Sequence, residues 1–319
     1  MKVLITGGAG FIGGNLVREL NLLYPNLQLY VFDLFGRQAS LGSFQNIINT
    51  NCRIISGDLS NPADLRSLLE YRFDFIYHLG AISDTTEYDQ HLVFSTNVNS
   101  FYSILRYCSD YKVPLVYASS AAVYGNTPTP NTIDCVHPLN PYAFSKYQMD
   151  IIAEDYYDRI PTLIGLRFFN VFGPGEDFKG KTASTILQFA NQAIENQRIK
   201  LFENSDKYFR DFIYIKDVTD VLLKCLEKKQ IHGVFNLGFG RKRSFQEVAE
   251  IVVTNIQNRF NIGHVDIEYI KNNFSKYYQA DTLAEISDTK LVFDFIPEWD
   301  LEKGIADYIN ILIKRKSIN

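Results

Sequence analysis

The 319-residue chain has four cysteines, and none stands in a C-x-x-C pair. Cys52, Cys108, Cys135 and Cys225 are scattered, which argues against a disulfide framework or a zinc site and reads as reduced thiols in a cytosolic protein. His78 and His137 lack metal-ligand company and read as structural, so no metal is expected. No stretch is apolar for long enough to span a membrane, and the N-terminal run Val3–Ile5 is too short for a signal peptide, so the expected location is the cytoplasm. There is no basic run: 32 Lys and Arg are interspersed with 36 Asp and Glu for a net charge of -4, which argues against nucleic acid as a partner. Internal repeats and low-complexity tails are missing too. What remains is a chain with 46% hydrophobic residues, enough for a substantial core and two lobes.

The informative features come in a fixed order. Lys2–Thr6 is a short β-branched and apolar run that reads as a buried strand. Gly7, Gly10 and Gly13 follow, leading into a helical apolar pattern of Phe11, Ile12, Leu16, Val17 and Leu20. Strand, glycine turn and helix set backbone N–H groups and a helix N-terminus against a ligand's phosphates. The spacing is G-x-x-G-x-x-G rather than the commoner G-x-G-x-x-G. A second strand, Gln28–Phe32, ends in Asp33, about 20 residues past the glycines, where a carboxylate meets an adenosine ribose. Asp33 favours NAD, because a carboxylate binds the ribose diol and repels a 2′-phosphate. Arg37 would instead hold that phosphate, so these residues leave NAD and NADP both open.

Strands and helices then alternate. Arg53–Ile55, Phe75–Tyr77, Leu115–Ala118 and Thr162–Arg167 read as strands. Asn61 caps a helix opening at Pro62, a long helical region covers Leu92–Cys108, and a further helix runs past Tyr142 and Lys146 toward Tyr157. The alternation predicts an α/β fold with a doubly wound parallel Rossmann-type sheet and ligands at the carboxyl ends of its strands. After Gly173 the pattern loosens into the Gly- and Lys-rich stretch GPGEDFKGKTAS, then a helix over Thr185–Asn196. RDFIYIKDV reads as a strand returning to the sheet and Val234–Gly238 as another. Ser244 and Glu247 form a capping box before a helix from Phe245, and a short strand near Asp266–Ile270 and a final helix from Leu301 complete a smaller C-terminal α+β lobe. The expected division is a dinucleotide-binding domain over 1–170 plus about 211–238, and a substrate domain over about 171–210 plus 239–319.

Ser120 stands in YASSAAVYG, and Tyr142 and Lys146 stand one helical turn apart in PYAFSKYQMD. A tyrosine hydroxyl near its usual pKa of about 10 is a poor base at neutral pH. A lysine ammonium on the same helix face would stabilise the phenolate, and Ser120 would orient the reacting oxygen. Tyr142 then takes a proton from a carbinol as hydride leaves for a nicotinamide. Tyr-x-x-x-Lys alone arises often by chance; the glycine turn and Ser120 upstream give it meaning.

With these motifs the chain resembles the extended short-chain dehydrogenase/reductase family over nearly its whole length. That resemblance implies that Asp58 contacts adenine, that Leu79, Gly80, Ala81, Ile82, Ser83 and Asn97 line the cofactor, and that Lys146 holds the nicotinamide ribose. A more selective set, RFFNVFGPGEDFKGKTAS, LFENSDKYFRDFIYIKDV and KYYQADTLAE, resembles the ADP-L-glycero-D-manno-heptose 6-epimerase family. It implies interconversion of two ADP-heptose C6 epimers through a 6-keto intermediate with tightly bound NADP, supplying heptose for lipopolysaccharide core, by a homo-oligomer. Lys179 would be the second catalytic group. Leu34, Val171 and Lys179 would join the cofactor site. Asn170, Lys181, Gln188, Phe202, Glu203, Asn204, Ser205, Arg210 and Tyr278 would contact the sugar nucleotide. Gly175 departs from the family by standing where arginine is frequent, and Lys181 and Gln188 stand where some members have serine and histidine. Independently of any family, two substrate phosphates need local cations, and Arg210 offers a bidentate donor.

Three other functions compete. A 4-epimerase or oxidoreductase would use the same triad on a ring hydroxyl. A dehydratase would need an acidic pair after Ser120, where Ala121 and Ala122 stand. A silent dinucleotide sensor would have no use for Ser120, Tyr142 and Lys146 together.

Overall fold

The protein is described here from a computed structural model, which covers residues 1–36, 42–260, 262–271 and 281–316. The sheet begins with β1 (Lys2–Thr6), α1 (Phe11–Leu23), β2 (Gln28–Asp33) and β3 (Cys52–Ser56). In β1, Val3 and Ile5 face one core cluster and Leu4 faces the other, the period-2 alternation of a strand covered on both sides. Next come α2 (Pro62–Leu68), β4 (Phe75–His78), α3 (Gln90–Phe94) and α4 (Ser100–Tyr111). Asn61 caps α2 through its side chain, with Pro62 at the first helical position. The predicted Leu92–Cys108 helix is broken by a π-helical turn over Ser95–Asn99. That turn is wider than the α-helix and rotates Asn97 into the core.

β5 (Leu115–Ser120), α5 (Pro141–Glu154) and β6 (Leu163–Phe168) follow, and both strands are buried along their full length. Asn140 accepts a hydrogen bond from the Ala143 N–H at 2.8 Å, and Pro141 occupies the first position of α5. These two features set the register of Tyr142 and Lys146. The seventh strand of the sheet is β10, reached only after β7 (Asn170–Phe172), α6 (Thr185–Asn196), β8 (Arg198–Phe202), β9 (Phe209–Tyr214), α7 (Ile215–Glu227) and β10 itself (His232–Leu237). The order is β10-β6-β5-β4-β1-β2-β3, with every pairing parallel. Consecutive strands run outward in opposite directions from β1 and β4, so the crevice lies at their carboxyl ends.

The remaining elements are β11 (Lys242–Ser244), α8 (Phe245–Phe260), β12 (Asp266–Ile270), α9 (Ser287–Phe293) and α10 (Leu301–Lys316). One sequence expectation is corrected here. RDFIY does not return to the central sheet: β9 pairs parallel with β7 and antiparallel with β11 in a separate three-stranded sheet. The chain passes through α7, packed on α1, before β10 takes the edge beside β6. A second small sheet joins β8 and β12. The capping box holds: Ser244 and Glu247 exchange backbone-to-side-chain bonds, Ser244 N–H to Glu247 at 2.7 Å and Glu247 N–H to Ser244 at 3.1 Å.

Candidate active site

A cavity of about 540 Å³ opens at the carboxyl ends of β1, β4 and β5, between the large sheet and the small ones. The glycine turn forms one wall. Gly7 has φ +65°, and a Cβ there would lie 2.6 Å from the Gly80 backbone. A Cβ on Gly13 would lie 2.2 Å from the Gly7 carbonyl oxygen, so this position admits α1 against the turn only without a side chain. α1 has no side-chain cap and no acidic residue in its first turn, which leaves its N-terminal N–H groups and dipole facing an anion. These features fit the pyrophosphate of a dinucleotide.

Asp33 reaches the same cavity from the end of β2. Its carboxylate accepts the Ala9 N–H at 2.8 Å and the Leu34 N–H at 2.9 Å. Burial nevertheless pushes the carboxyl up to about 6, against those bonds. His78 is a core residue: its Nδ1 pairs with the Thr6 hydroxyl at 2.8 Å, and burial, then Lys146, pushes it down to about 3, so the ring is neutral.

Ser120, Tyr142 and Lys146 meet in the cavity, as their order in the chain predicts. The electrostatics differ from expectation. Tyr142 is held above its ordinary pKa by burial, and the group that lowers it is the Ser120 hydroxyl. Lys146 donates to the Ala118 carbonyl at 2.7 Å, so its ammonium is committed to the strand. Burial lowers Lys146 to about 8, while the Asp150 carboxylate raises it. Sequence reasoning missed Asp150, although i+4 spacing from Lys146 on α5 was the available signal. Asp150 is buried and accepts from Ser119 at 3.0 Å, Tyr117 at 3.1 Å and Arg167 at 2.9 Å. The Asp150 carboxylate thus pairs directly with Arg167 and acts electrostatically on Lys146.

Lys179 also lines the cavity, from a different element, the loop between β7 and α6. Its Nζ lies 5.5 Å from the centre of the Phe11 ring. Burial lowers its pKa and the Glu176 carboxylate opposes the shift. Glu176 is fully buried and accepts from the Gly173 N–H at 3.3 Å and from the N–H and hydroxyl of Ser184 at 2.6 Å each. The identity of this anchor was not legible, because an acid in a polar loop resembles a solvated charge. Lys181 points outward, its side chain 83% exposed and 4.0 Å from Asp84. Gln188 is spent on the loop's own backbone, donating to the carbonyls of Ala183 at 2.8 Å and Lys181 at 3.2 Å.

Of the other named residues, Gly10, Phe11, Ile12, Leu79, Gly80, Ala81, Ser83, Asn170, Val171 and Arg210 line the cavity. Arg210 is buried, with its guanidinium 5.4 Å from the Phe245 ring centre and a bond to the Phe209 carbonyl at 2.8 Å. Leu34, Asp58, Ile82 and Asn97 stand off the wall. Asp58 accepts from the Ser60 N–H and hydroxyl in a local turn. Asn97 clamps the Ile82 backbone at both its carbonyl and N–H and donates to Ser145 at 3.0 Å, so it holds the loop rather than facing the space. Phe202, Glu203, Asn204 and Ser205 lie at the end of β8 and the turn after it, away from the lining, and Ser205 bonds Gln246. Arg37 and Tyr278 lie outside the described residues. Thr282 and the start of α6 at Ser184 and Thr185 also line the cavity, and sequence reasoning did not single them out. Among the described residues no group of His, Cys, Asp and Glu is arranged to hold a metal ion, and no helix is long and apolar enough to cross a membrane.

Residues 3–238 match the family described as "NAD dependent epimerase/dehydratase family". The chain is 36% identical, over 98% of its length and 98% of the relative's, to ADP-L-glycero-D-manno-heptose-6-epimerase of Brachyspira hyodysenteriae. It is 33% identical to the protein of the same name from Alkalilimnicola ehrlichii, over 97% of this chain and 96% of that one. The crystal structure of Helicobacter pylori ADP-L-glycero-D-manno-heptose-6-epimerase superposes with a TM-score of 0.88 at 39% identity, covering 98% of this chain and 96% of that chain.

Proposed function

The chain belongs to the NAD dependent epimerase/dehydratase family, and from that premise we infer that it is an isomerase interconverting ADP-D-glycero-β-D-manno-heptose and ADP-L-glycero-β-D-manno-heptose at C6. The observation that supports this reading is one cavity lined by Tyr142 and Lys179 from separate elements, α5 and the loop after β7, beside a glycine turn shaped for pyrophosphate. Incubation with ADP-D-glycero-D-manno-heptose, followed by NMR, tests it: a new C6 epimer is expected, and recovery of unchanged substrate from folded, cofactor-loaded protein refutes it.

A nicotinamide dinucleotide, when bound, would be held by the glycine turn over 7–13 and Asp33 and would supply the hydride acceptor and donor for C6. The residues of the chain handle the protons. As the C6–H bond breaks, one of Tyr142 and Lys179 takes the hydroxyl proton, leaving a 6-ketone; Ser120 holds the oxygen on the Tyr142 side. Inversion requires the ketone to present its other face, which swings its oxygen across the pocket. Tyr142 sits in the first turn of α5 and cannot follow, so the other residue donates the proton when hydride returns. Burial of Lys179 supports this role, since a lowered pKa brings it closer to exchange near neutrality. Arg210 and Asn170 are assigned to the sugar nucleotide, with the start of α6 available to its phosphates. The dinucleotide is assigned to 1–170 with about 211–238, except that 211–214 belongs to the three-stranded sheet, and the substrate to the remainder.

NADP is the preferred cofactor in this reading. The family resemblance and Arg37 carry this preference against Asp33, whose carboxylate, pushed up only to about 6, stays ionised at neutral pH and favours NAD. Comparing the dissociation constants for NADP and NAD tests this, and equal or tighter NAD binding refutes it. A cytoplasmic homo-oligomer completes the proposal; light scattering at working concentration checks the oligomer, and a monomer would overturn that part.

A further inference from the structure

The loop carrying Lys179 is fastened to the glycine turn through the side chain of Asn46. Asn46 is 5% exposed and ends a short 3₁₀ turn over Phe44–Asn46. Its amide nitrogen lies 3.1 Å from the Ala9 carbonyl and 3.2 Å from the Gly10 carbonyl, both in the glycine turn. The same nitrogen lies 3.1 Å from the carbonyl of Gly175, four residues before Lys179. Gly14 makes room for it, since a Cβ at Gly14 would lie 2.7 Å from the Asn46 Cβ. Two neighbours reinforce the joint. Asn15 donates to the Pro174 carbonyl at 2.8 Å, and Arg18 donates to both Asn15 and the Asn46 carbonyl. Gly175 takes φ +100° at this point, a conformation that turns its carbonyl to Asn46 and that other residues adopt only under strain. The far end of the loop is anchored separately by Glu176 to Ser184.

A single amide donor facing three carbonyl oxygens makes the position of the loop depend on the shape of the turn. Asn46 therefore links residues 9 and 10 of the turn to residue 175, and Asn15 links α1 to residue 174. We propose that Asn46 is a positioning residue that couples dinucleotide occupancy of the glycine turn to the placement of Lys179. The functional half of the proposal rests on the reading of Lys179 as the second acid/base; the mechanical half does not.

The test is amide hydrogen exchange on nucleotide-stripped enzyme and on the same enzyme saturated with NADP, for the parent and for Asn46→Leu, which keeps the volume and removes the donor. In the parent, NADP slows exchange at residues 7–13 and also at 176–182, the loop by about tenfold, a usual size for site-to-site coupling. In Asn46→Leu, NADP still protects 7–13, while the protection of 176–182 is lost. The variant's single-turnover cofactor reduction with each pure C6 epimer shifts in ratio by about tenfold, in the same sense as Lys179→Ala. Should Asn46→Leu fail to fold, Asn15→Ala removes the Pro174 bond, with the Asn15 contacts to Phe11 and Arg18, while leaving the three Asn46 bonds in place, and should weaken loop protection in the same way. Persistence of full loop protection in a folded variant, or no loop protection by NADP in the parent, overturns the coupling. If Lys179→Ala itself shows no epimer bias, the second-base reading fails, and the exchange data still decide whether Asn46 couples the two segments.

Discussion

Lys179→Ala and Tyr142→Phe should each cripple epimerisation while failing on opposite epimers. General acid–base catalysis contributes about 10²- to 10⁴-fold, or roughly 2.7–5.5 kcal/mol of barrier. The structural ties of Lys179 are smaller. Its ammonium lies 5.5 Å from the centre of the buried Phe11 ring, a cation–π pair worth about 0.5–2 kcal/mol. The loop itself is held by Glu176, whose bonds to Gly173 and Ser184 do not involve Lys179. Lys179→Ala should therefore melt within a few degrees of the parent. Tyr142 is 8% exposed, and phenylalanine fills the same space while losing only the hydroxyl. The assay is single-turnover cofactor reduction with each pure C6 epimer under saturating substrate. Each mutant should reduce cofactor at about 1% of the parent rate or less with one epimer, the two mutants with different ones. If both fail with the same epimer, or if Lys179→Ala epimerises at the parent rate, one residue serves both faces and the argument from carbonyl inversion is wrong.

Arg210→Ala should raise KM for the ADP-sugar with a smaller effect on kcat, as expected when a residue binds the ground and transition states alike; an unchanged KM in folded protein would return Arg210 to a purely structural contact with Phe245. The two bases should also shift in opposite senses with pH: burial lowers Lys179 below its ordinary 10.5 and raises Tyr142 above 10.0, so the profile lost in Lys179→Ala should report a pKa below the free lysine value and the one lost in Tyr142→Phe a pKa above the free tyrosine value, and shifts of the other sign would contradict this. Asp150→Asn removes the anion that raises Lys146, so the titration of Lys146 should move to still lower pH, and an unmoved profile would show that the carboxylate is idle. Burial lifts Asp211 from 3.8 to about 6, although it accepts the N–H groups of Phe239, Gly240 and Ala284. Folded protein then keeps a proton that unfolded chain releases, so this contribution is full below about pH 4 and is lost as pH rises through about 6; Asp211→Asn should flatten that slope in denaturant titrations and cost about 1–3 kcal/mol by turning a donor toward backbone donors.

Strands β1 to β6 and the Ser120, Tyr142 and Lys146 set were legible in the sequence. Val3 and Ile5 against Leu4, the glycines after β1, the Asn61–Pro62 helix start and the Ser244–Glu247 box are local signals, written in propensity and spacing. Ser120, Tyr142 and Lys146 were legible for the same reason: a strand end and one helical turn already bring them close. Tertiary structure decided the rest. Nothing local says that β9 pairs with β7 while β10 takes the edge of the large sheet, because strand pairing depends on where α7 packs. Nothing local turns Asn97 inward, since the π turn over Ser95–Asn99 sets its direction. The committed donors, Lys146 to Ala118 and Asn46 to Gly175, join segments 28 and 129 residues apart. The pKa of Tyr142 follows from burial before it follows from any neighbour in the chain. Burial and long-range hydrogen bonding are properties of the packed molecule: a residue's spacing names its chemistry, while its solvent exposure and its partners exist only once distant segments have closed around it.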